Sequence, residues 1–388
     1  MPMSPFRYTP SSTRAYYGAG CLAQLASELK RAGCSRAVIF SGKTLARSEP
    51  GVATIKEALG DLCAGNFDGV AEHSPVASVE GAVEFLRSVD ADAIIALGGG
   101  SAIVSARAAG IMYGEGKPAS ELCTIFEPGQ PPKSPRVAAP KVPQFIVPTT
   151  PTTAYAKAGA AMATGVEGRR LALFDPKARA SAVFFEPTFF AGTPERLIRE
   201  AALDAFSGAV QGLESKSRQP IADSLLLQGL RLIRRGLEEM DTAPDARADL
   251  MLAALMVGQG TDVTAGGMSA AIGHCVGSRF GVANGLVNAV MLPHTLEYNA
   301  PATGDRLRDA AEVMKVDPAG PGGPALAVAG ACRSFFASLG LPSRLRDLGI
   351  PEDALESIAD AAALDWFYTQ NPRPVSREDC IALLKAAW

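Results

Sequence analysis

The chain has 388 residues, of which 47% are hydrophobic and 20% charged, with a formal net charge of −3. That length exceeds one ordinary core and fits two domains, while the near-neutral charge provides no field for gathering nucleic acid or an anionic membrane surface. Met1-Pro2-Met3-Ser4-Pro5-Phe6-Arg7 lacks the basic-then-apolar order of a secretory leader, and no run reaches about 18 uninterrupted apolar residues, so the expectation is a cytoplasmic protein that meets small molecules and copies of itself.

In chain order, Arg36–Ser41 reads as the first buried strand, a short apolar run bounded by polar residues. Ser48–Gly60 and Val79–Val89 carry apolar residues at three- and four-residue spacing, as helices covering a sheet do. Asp92–Leu97 and Gln144–Pro148 are two more strands, and alternation of strands with helices points to a parallel sheet. Between them, residues 127–143 contain repeated prolines, which remove donors and restrict their predecessors, so this stretch reads as a surface loop or a lid. From about Pro194 onward strand signals fade, and alanine- and leucine-rich patterns such as Ala222–Glu239 and Ala246–Gly258 read as helices. The expected fold is an α/β domain with a parallel sheet over residues 1–193 and an all-α domain over 194–388, without internal repeats.

The seven cysteines (Cys21, Cys34, Cys63, Cys123, Cys275, Cys332 and Cys380) are scattered and never form C-x-x-C, so they read as reduced and mostly structural. His73, His274 and His294 are the only imidazoles, which restricts any mechanism that gathers several around a metal.

The strand ending at Leu97 runs into Gly98-Gly99-Gly100-Ser101 and then into a helical pattern. Glycines let the backbone approach a pyrophosphate, and the free amides at a helix start stabilise its charge. A purely structural glycine turn is the competing reading.

Four segments in this order resemble the iron-type alcohol dehydrogenases: Tyr17-Gly-Ala-Gly-Cys-Leu22, Leu97-Gly-Gly-Gly-Ser101, Val147-Pro-Thr-Thr150, and Gly267–His274 continuing to Leu292-Pro-His-Thr-Leu-Glu-Tyr-Asn299. The resemblance spans nearly the whole chain. It implies a dinucleotide-binding domain, a helical domain and a cleft between them where hydride moves to or from a nicotinamide. Gly98, Gly99, Gly100 and Ser101 would then hold the pyrophosphate, and Thr149, Thr150 and Thr153 would line the cofactor site with neutral donors; strand-end capping is the threonines' alternative role. It also implies a homodimer.

The chain departs from its relatives in several places. Val104 and Arg107 stand where they commonly have aspartate and lysine. Gly42 stands where NAD-selective relatives carry an aspartate against the adenosine ribose, and Lys43 follows. Loss of a carboxylate beside a cation accommodates a 2′-phosphate, which favours NADP or dual use with NAD; a simple turn at Gly42 is the alternative.

The family's divalent metal is held by an aspartate and three histidines, which polarise the substrate oxygen. Here Asp204 is retained, while Gly208, Ala270 and Asn284 replace the histidines. Tight iron or zinc binding is therefore not expected. An oxygen-rich magnesium-type site stays open, with Asp262, Glu214 and Cys275 as further groups that can enter the cleft.

His274 matches a second histidine that relatives often retain near the nicotinamide, which makes it the candidate proton donor or relay, against a structural packing role. His294 reads as a helix buttress and His73 as sheet-end structure. Arg279 and Lys157 are candidate cations for a developing alkoxide or a substrate carboxylate, and solvated surface charge is their alternative role. The activity implied is reversible reduction of an aldehyde or ketone, including a keto acid or semialdehyde, to an alcohol. The competing functions are a nucleotide-binding scaffold without turnover and a lyase of the dehydroquinate-synthase type.

Overall fold

Strands buried on both faces need apolar side chains at every position rather than at alternate ones. Three segments named above meet that condition: β2 (Ala37–Phe40), β4 (Ala93–Gly98) and β5 (Gln144–Pro148) are buried throughout. The computed structural model describes residues 5–126, 132–166, 169–240 and 242–388. Within it these strands join β1 (Arg14–Tyr17), β3 (Cys63–Phe67) and β8 (Ala182–Phe185) in a six-stranded sheet of order β1-β8-β5-β4-β2-β3. Every pairing in that sheet is parallel. The two edge strands are less covered, and β1 alternates exposed with half-buried residues, as a strand with one solvated face should.

The helix expected over Ser48–Gly60 begins only at Val52, after a shorter helix at Lys43–Arg47. Pro50 disfavours helical backbone at Glu49. Gly51 caps the second helix where a Cβ would lie 2.2 Å from the Ser48 carbonyl oxygen. The expected Val79–Val89 helix runs from Val76 to Ser88.

A second, antiparallel sheet pairs β6 (Gly159–Ala163) with β7 (Arg170–Phe174), which sequence patterning did not indicate. Arg107, 1% exposed, sends its guanidinium to the carbonyl oxygens of Ala154, Gly159 and Ala178. The arginine at the relatives' lysine position is thus a buried clamp that joins the β5–β6 connection, β6 and the segment before β8. Of the proline-rich stretch 127–143, residues 127–131 lie outside the described residues, and 132–143 contains no helix or strand. Its far end is anchored: Lys141 Nζ is 2.6 Å from Glu115 and 3.0 Å from Asp175.

Contacts divide the chain so that Ser11–Thr164 with Arg170–Glu195 forms one compact unit, and Arg196–Trp388 is the body of the other. The first has a core of Leu25, Ile39, Ile95, Phe145, Val147 and Phe184. The second is helical. Among its helices are Glu195–Glu214, which begins at the unit boundary, Pro220–Glu239, Ala246–Thr264, Met268–Phe280 and Asn284–Thr303. Among the described residues, no helix is long and apolar enough to cross a membrane.

Candidate nucleotide and proton-transfer sites

From β2 the chain moves outward to β3 and then returns to place β4 on the opposite side of β2. In open parallel sheets, such a reversal leaves a crevice beyond the carboxyl ends of the two strands concerned. The carboxyl end of β2 leads to Ser41, Gly42 and Lys43, and that of β4 to Gly98–Ser101.

At β4, Gly98 has φ +141°, a conformation that other residues rarely adopt. Thr149 donates its backbone N–H to the Gly98 carbonyl, so the glycine turn and the threonine segment are laced together at adjacent strand ends. A Cβ on Gly99 would lie 2.8 Å from Thr150 Oγ1, and one on Gly100 3.4 Å from Thr152 Oγ1. The turn thus forms a narrow backbone cradle that a side chain would fill. The helix Gly100–Glu115 starts there without a side-chain cap, which leaves first-turn amides for an anion. Ser101 Oγ accepts the His73 backbone N–H at 3.1 Å, and the Ser101 carbonyl accepts from Ser74 Oγ. His73 therefore buttresses the turn, and burial lowers its affinity for a proton.

Gly42 caps the Lys43–Arg47 helix with extended backbone. Just before it, Ser41 Oγ is fully buried without a hydrogen-bond partner among the described residues. In the sequence Ser41 carries no signal, being a serine that merely ends an apolar run. Thr153 begins a short 3-10 turn capped by Thr152, and Lys157 ends it.

In the helical unit, Asp204 projects from Glu195–Glu214, and its Oδ1 accepts from Asn288 Nδ2 at 2.8 Å. The approach is close because a Cβ on Gly285 would lie 1.9 Å from the Glu200 carbonyl oxygen. Asn288 and Asn284, one turn apart, put their Oδ1 atoms against Gly273 and Gly277, at 2.3 and 2.0 Å from where a Cβ would stand. Gly208 has only Val257 and Thr261 methyl groups near its missing side chain, and Ala270 is buried. At the four expected ligand positions the donors are thus one carboxylate, already met by an amide, and the Asn284 amide. This chemistry does not fit the carboxylate-and-imidazole set that holds iron or zinc. Among the described residues, no three His, Cys, Asp or Glu side chains gather as a metal site. Glu214 and Cys275 are buried and Asp262 is exposed.

His274 lies in the middle of Met268–Phe280. Gln211 Oε1 accepts the N–H groups of Gly267 and Ala270, and Asn371 Oδ1 that of Met268, so buried amides satisfy the start of this helix. Asn299 links Asn371 to Glu214. Burial pushes the Glu214 carboxyl up to about 8, against the opposing effects of Asn299 and Arg306. His274 Nδ1 is 2.9 Å from Asp365 Oδ2, and the Phe367 ring lies against the imidazole with centroids 5.4 Å apart. Arg279, five residues further on and so about 140° round the helix, bonds Ser357 Oγ and stacks over Phe280. It is engaged away from His274. His294 is partly buried in the Asn284–Thr303 helix, and burial favours its neutral form.

Two family descriptions match the chain in succession: iron-containing alcohol dehydrogenase over residues 12–187, and the C-terminal part of the Fe-containing alcohol dehydrogenase family over residues 199–388. The chain is 29% identical to the lactaldehyde reductase of Escherichia coli over 382 residues, covering 96% of this chain and 97% of that one. It is also 29% identical to the maleylacetate reductase of a Rhizobium species over 393 residues, covering 100% and 98%. The crystal structure of maleylacetate reductase from Agrobacterium tumefaciens has a similar fold, with a TM-score of 0.79 at 25% identity, covering 100% of this chain and 99% of that one.

Proposed function

Since the chain belongs to the iron-containing alcohol dehydrogenase family, we propose that this oxidoreductase uses NADP, or NADP and NAD, to interconvert an alcohol with an aldehyde or ketone, and does so without tightly bound iron. The observation that carries the nucleotide reading is the Gly98–Ser101 cradle laced to Thr149, beside the reversal in strand order. Gly99, Gly100 and Ser101 would hold the pyrophosphate on backbone amides, with Thr149, Thr150 and Thr153 alongside. At the end of β2, Gly42 and Lys43 themselves bring no carboxylate against a 2′-phosphate, and the Ser41 hydroxyl has no hydrogen-bond partner among the described residues. The bound nicotinamide would supply or accept the hydride.

His274 is assigned the proton. Its imidazole is 21% exposed, and Nε2 makes no hydrogen bond to a described residue, so one nitrogen is available to a substrate oxygen. The names of the relatives above, lactaldehyde and maleylacetate reductases, make short oxygenated aldehydes and keto acids the first substrates to try. Lys157 and Arg279 remain the candidates for a substrate carboxylate, with Arg279 bonded to Ser357 in this structure.

Titration of the purified protein with NADPH and with NADH, without added metal and followed by nicotinamide fluorescence, tests this reading. Saturable binding that is tighter for NADPH, followed by carbonyl-dependent turnover, is the expected result. Binding without turnover on a broad panel of carbonyl compounds would favour a scaffold, and absence of binding to either nucleotide would sink the oxidoreductase reading.

A further inference from the structure

We propose that Asp365 is a positioning residue that fixes the tautomer and orientation of His274. This rests on the assignment of the proton to His274. Asp365 lies 91 residues from His274 in sequence, and its Oδ2 meets Nδ1 at 2.9 Å. Its other oxygen, Oδ1, accepts the Phe367 backbone N–H at 2.9 Å, so Asp365 also caps the Trp366–Gln370 helix. The carboxylate is therefore held at both ends rather than swinging on a loop. An ionised carboxylate only accepts hydrogen bonds, so Nδ1 must carry the proton of the neutral ring and Nε2 its lone pair. The Phe367 ring packs on the imidazole at 5.4 Å, and Phe367 is itself seated against Gly266, where a Cβ would come within 3.1 Å. One acidic group and one ring together define where Nε2 points.

The chemistry follows from that tautomer. In alcohol oxidation, the neutral ring takes the hydroxyl proton on Nε2 as the carbon gives up its hydride. In carbonyl reduction, the doubly protonated ring gives the Nε2 proton to the oxygen that keeps the π-electron pair once the carbon has received hydride. The O–H bond forms as the Nε2–H bond breaks, and the Nδ1 proton stays against Asp365 throughout. The positive ring is stabilised by the carboxylate while it lasts.

The decisive variant is Asp365→Ser. A serine hydroxyl still accepts the Phe367 N–H as a helix cap but is too short to hold Nδ1, so capping is separated from positioning. With only three histidines in the chain, 15N-histidine NMR of the nucleotide-free protein at neutral pH resolves the ring, assigned by His274→Gln. The expected spectrum shows His274 protonated on Nδ1. In Asp365→Ser the ring reverts to the Nε2-protonated form that free imidazole side chains favour, and kcat falls roughly 10- to 100-fold while NADPH affinity holds. Asp365→Glu recovers part of the loss. An Nε2-protonated ring in the unaltered protein, or a spectrum indifferent to Asp365→Ser, overturns the proposal. A tautomer that changes as described while turnover withstands both Asp365→Ser and His274→Gln upholds the positioning of the ring and removes His274 from the reaction.

Discussion

Asn288 gives a side-chain N–H to Asp204 Oδ1 across 2.8 Å, so a neutral amide meets the one carboxylate at the four expected metal-ligand positions. With Gly208 and Ala270 unable to donate, dialysis against a strong chelator should leave kcat/KM within about two-fold of its starting value. Elemental analysis should find far less than one transition metal per chain. A loss beyond about tenfold that iron or zinc restores would show that other ligands assemble a working centre. Asn288→Ala should cost roughly 1–3 kcal/mol in a denaturant melt, because half-buried Asp204 loses one of its partners.

The glycine cradle can be tested by filling it. A Cβ on Gly99 meets Thr150 Oγ1 at 2.8 Å, so Gly99→Ala should weaken NADPH binding about tenfold, or about 1.4 kcal/mol. Adding Thr150→Ala removes the collision and should return part of the affinity. If fluorescence titration finds Gly99→Ala binding as tightly as the parent, the pyrophosphate lies elsewhere.

Gly42 offers a test of cofactor choice that costs little in fold. Its backbone is extended, and a Cβ would make only an ordinary 3.6 Å contact with the Val70 carbonyl oxygen. Gly42→Asp should therefore fold, cap the following helix, and shift the NADPH to NADH affinity ratio toward NADH by about tenfold or more. An unchanged ratio would mean that the ribose does not reach this turn.

Glu214 should impose a pH dependence on stability. Burial raises its folded-state pKa to about 8, above its value in the unfolded chain. The folded protein consequently binds the proton more tightly. Its contribution is complete below the ordinary glutamate range, near pH 4, and is lost as pH rises toward 8, at most roughly 1.4 kcal/mol per unit across that window. Denaturant melts between pH 5 and 8 should fall along this slope in the parent and run flatter in Glu214→Gln. Parallel profiles would mean that Glu214 titrates normally.

The readable parts of the chain were those whose physics is local. β2, β4 and β5 are covered on both faces and so appear as unbroken apolar runs, and the glycine turn after β4 follows directly from its strand. The apolar spacing of Val52, Ile55 and Leu59 is real but does not carry back past Pro50, which is why the helix starts late. β6 has the composition Gly-Ala-Ala-Met-Ala, which carries no strand preference and acquires its structure from pairing with β7. From the sequence Glu214 is only one of the groups that can enter the cleft, and its burial beside Asn299 is made by tertiary packing. Asp365 had no local cue linking it to His274, since that pairing is made entirely by tertiary structure.

The place of β1 at the rim of the sheet has a consequence for biosynthesis. Among the described residues its ladder runs only to β8, from Arg14 against Ala182 to Tyr17 against Phe185, and Thr13 reaches the Ala180 carbonyl across 167 residues. A nascent chain emerges from the ribosome at roughly 5–20 residues per second, so the earliest strand of this sheet waits many seconds for its neighbour. Meanwhile β2 to β5 can assemble without it. The strand made first cannot pair until the last strand of the sheet has been made, and until then its open backbone is what a chaperone, or another nascent copy, would meet.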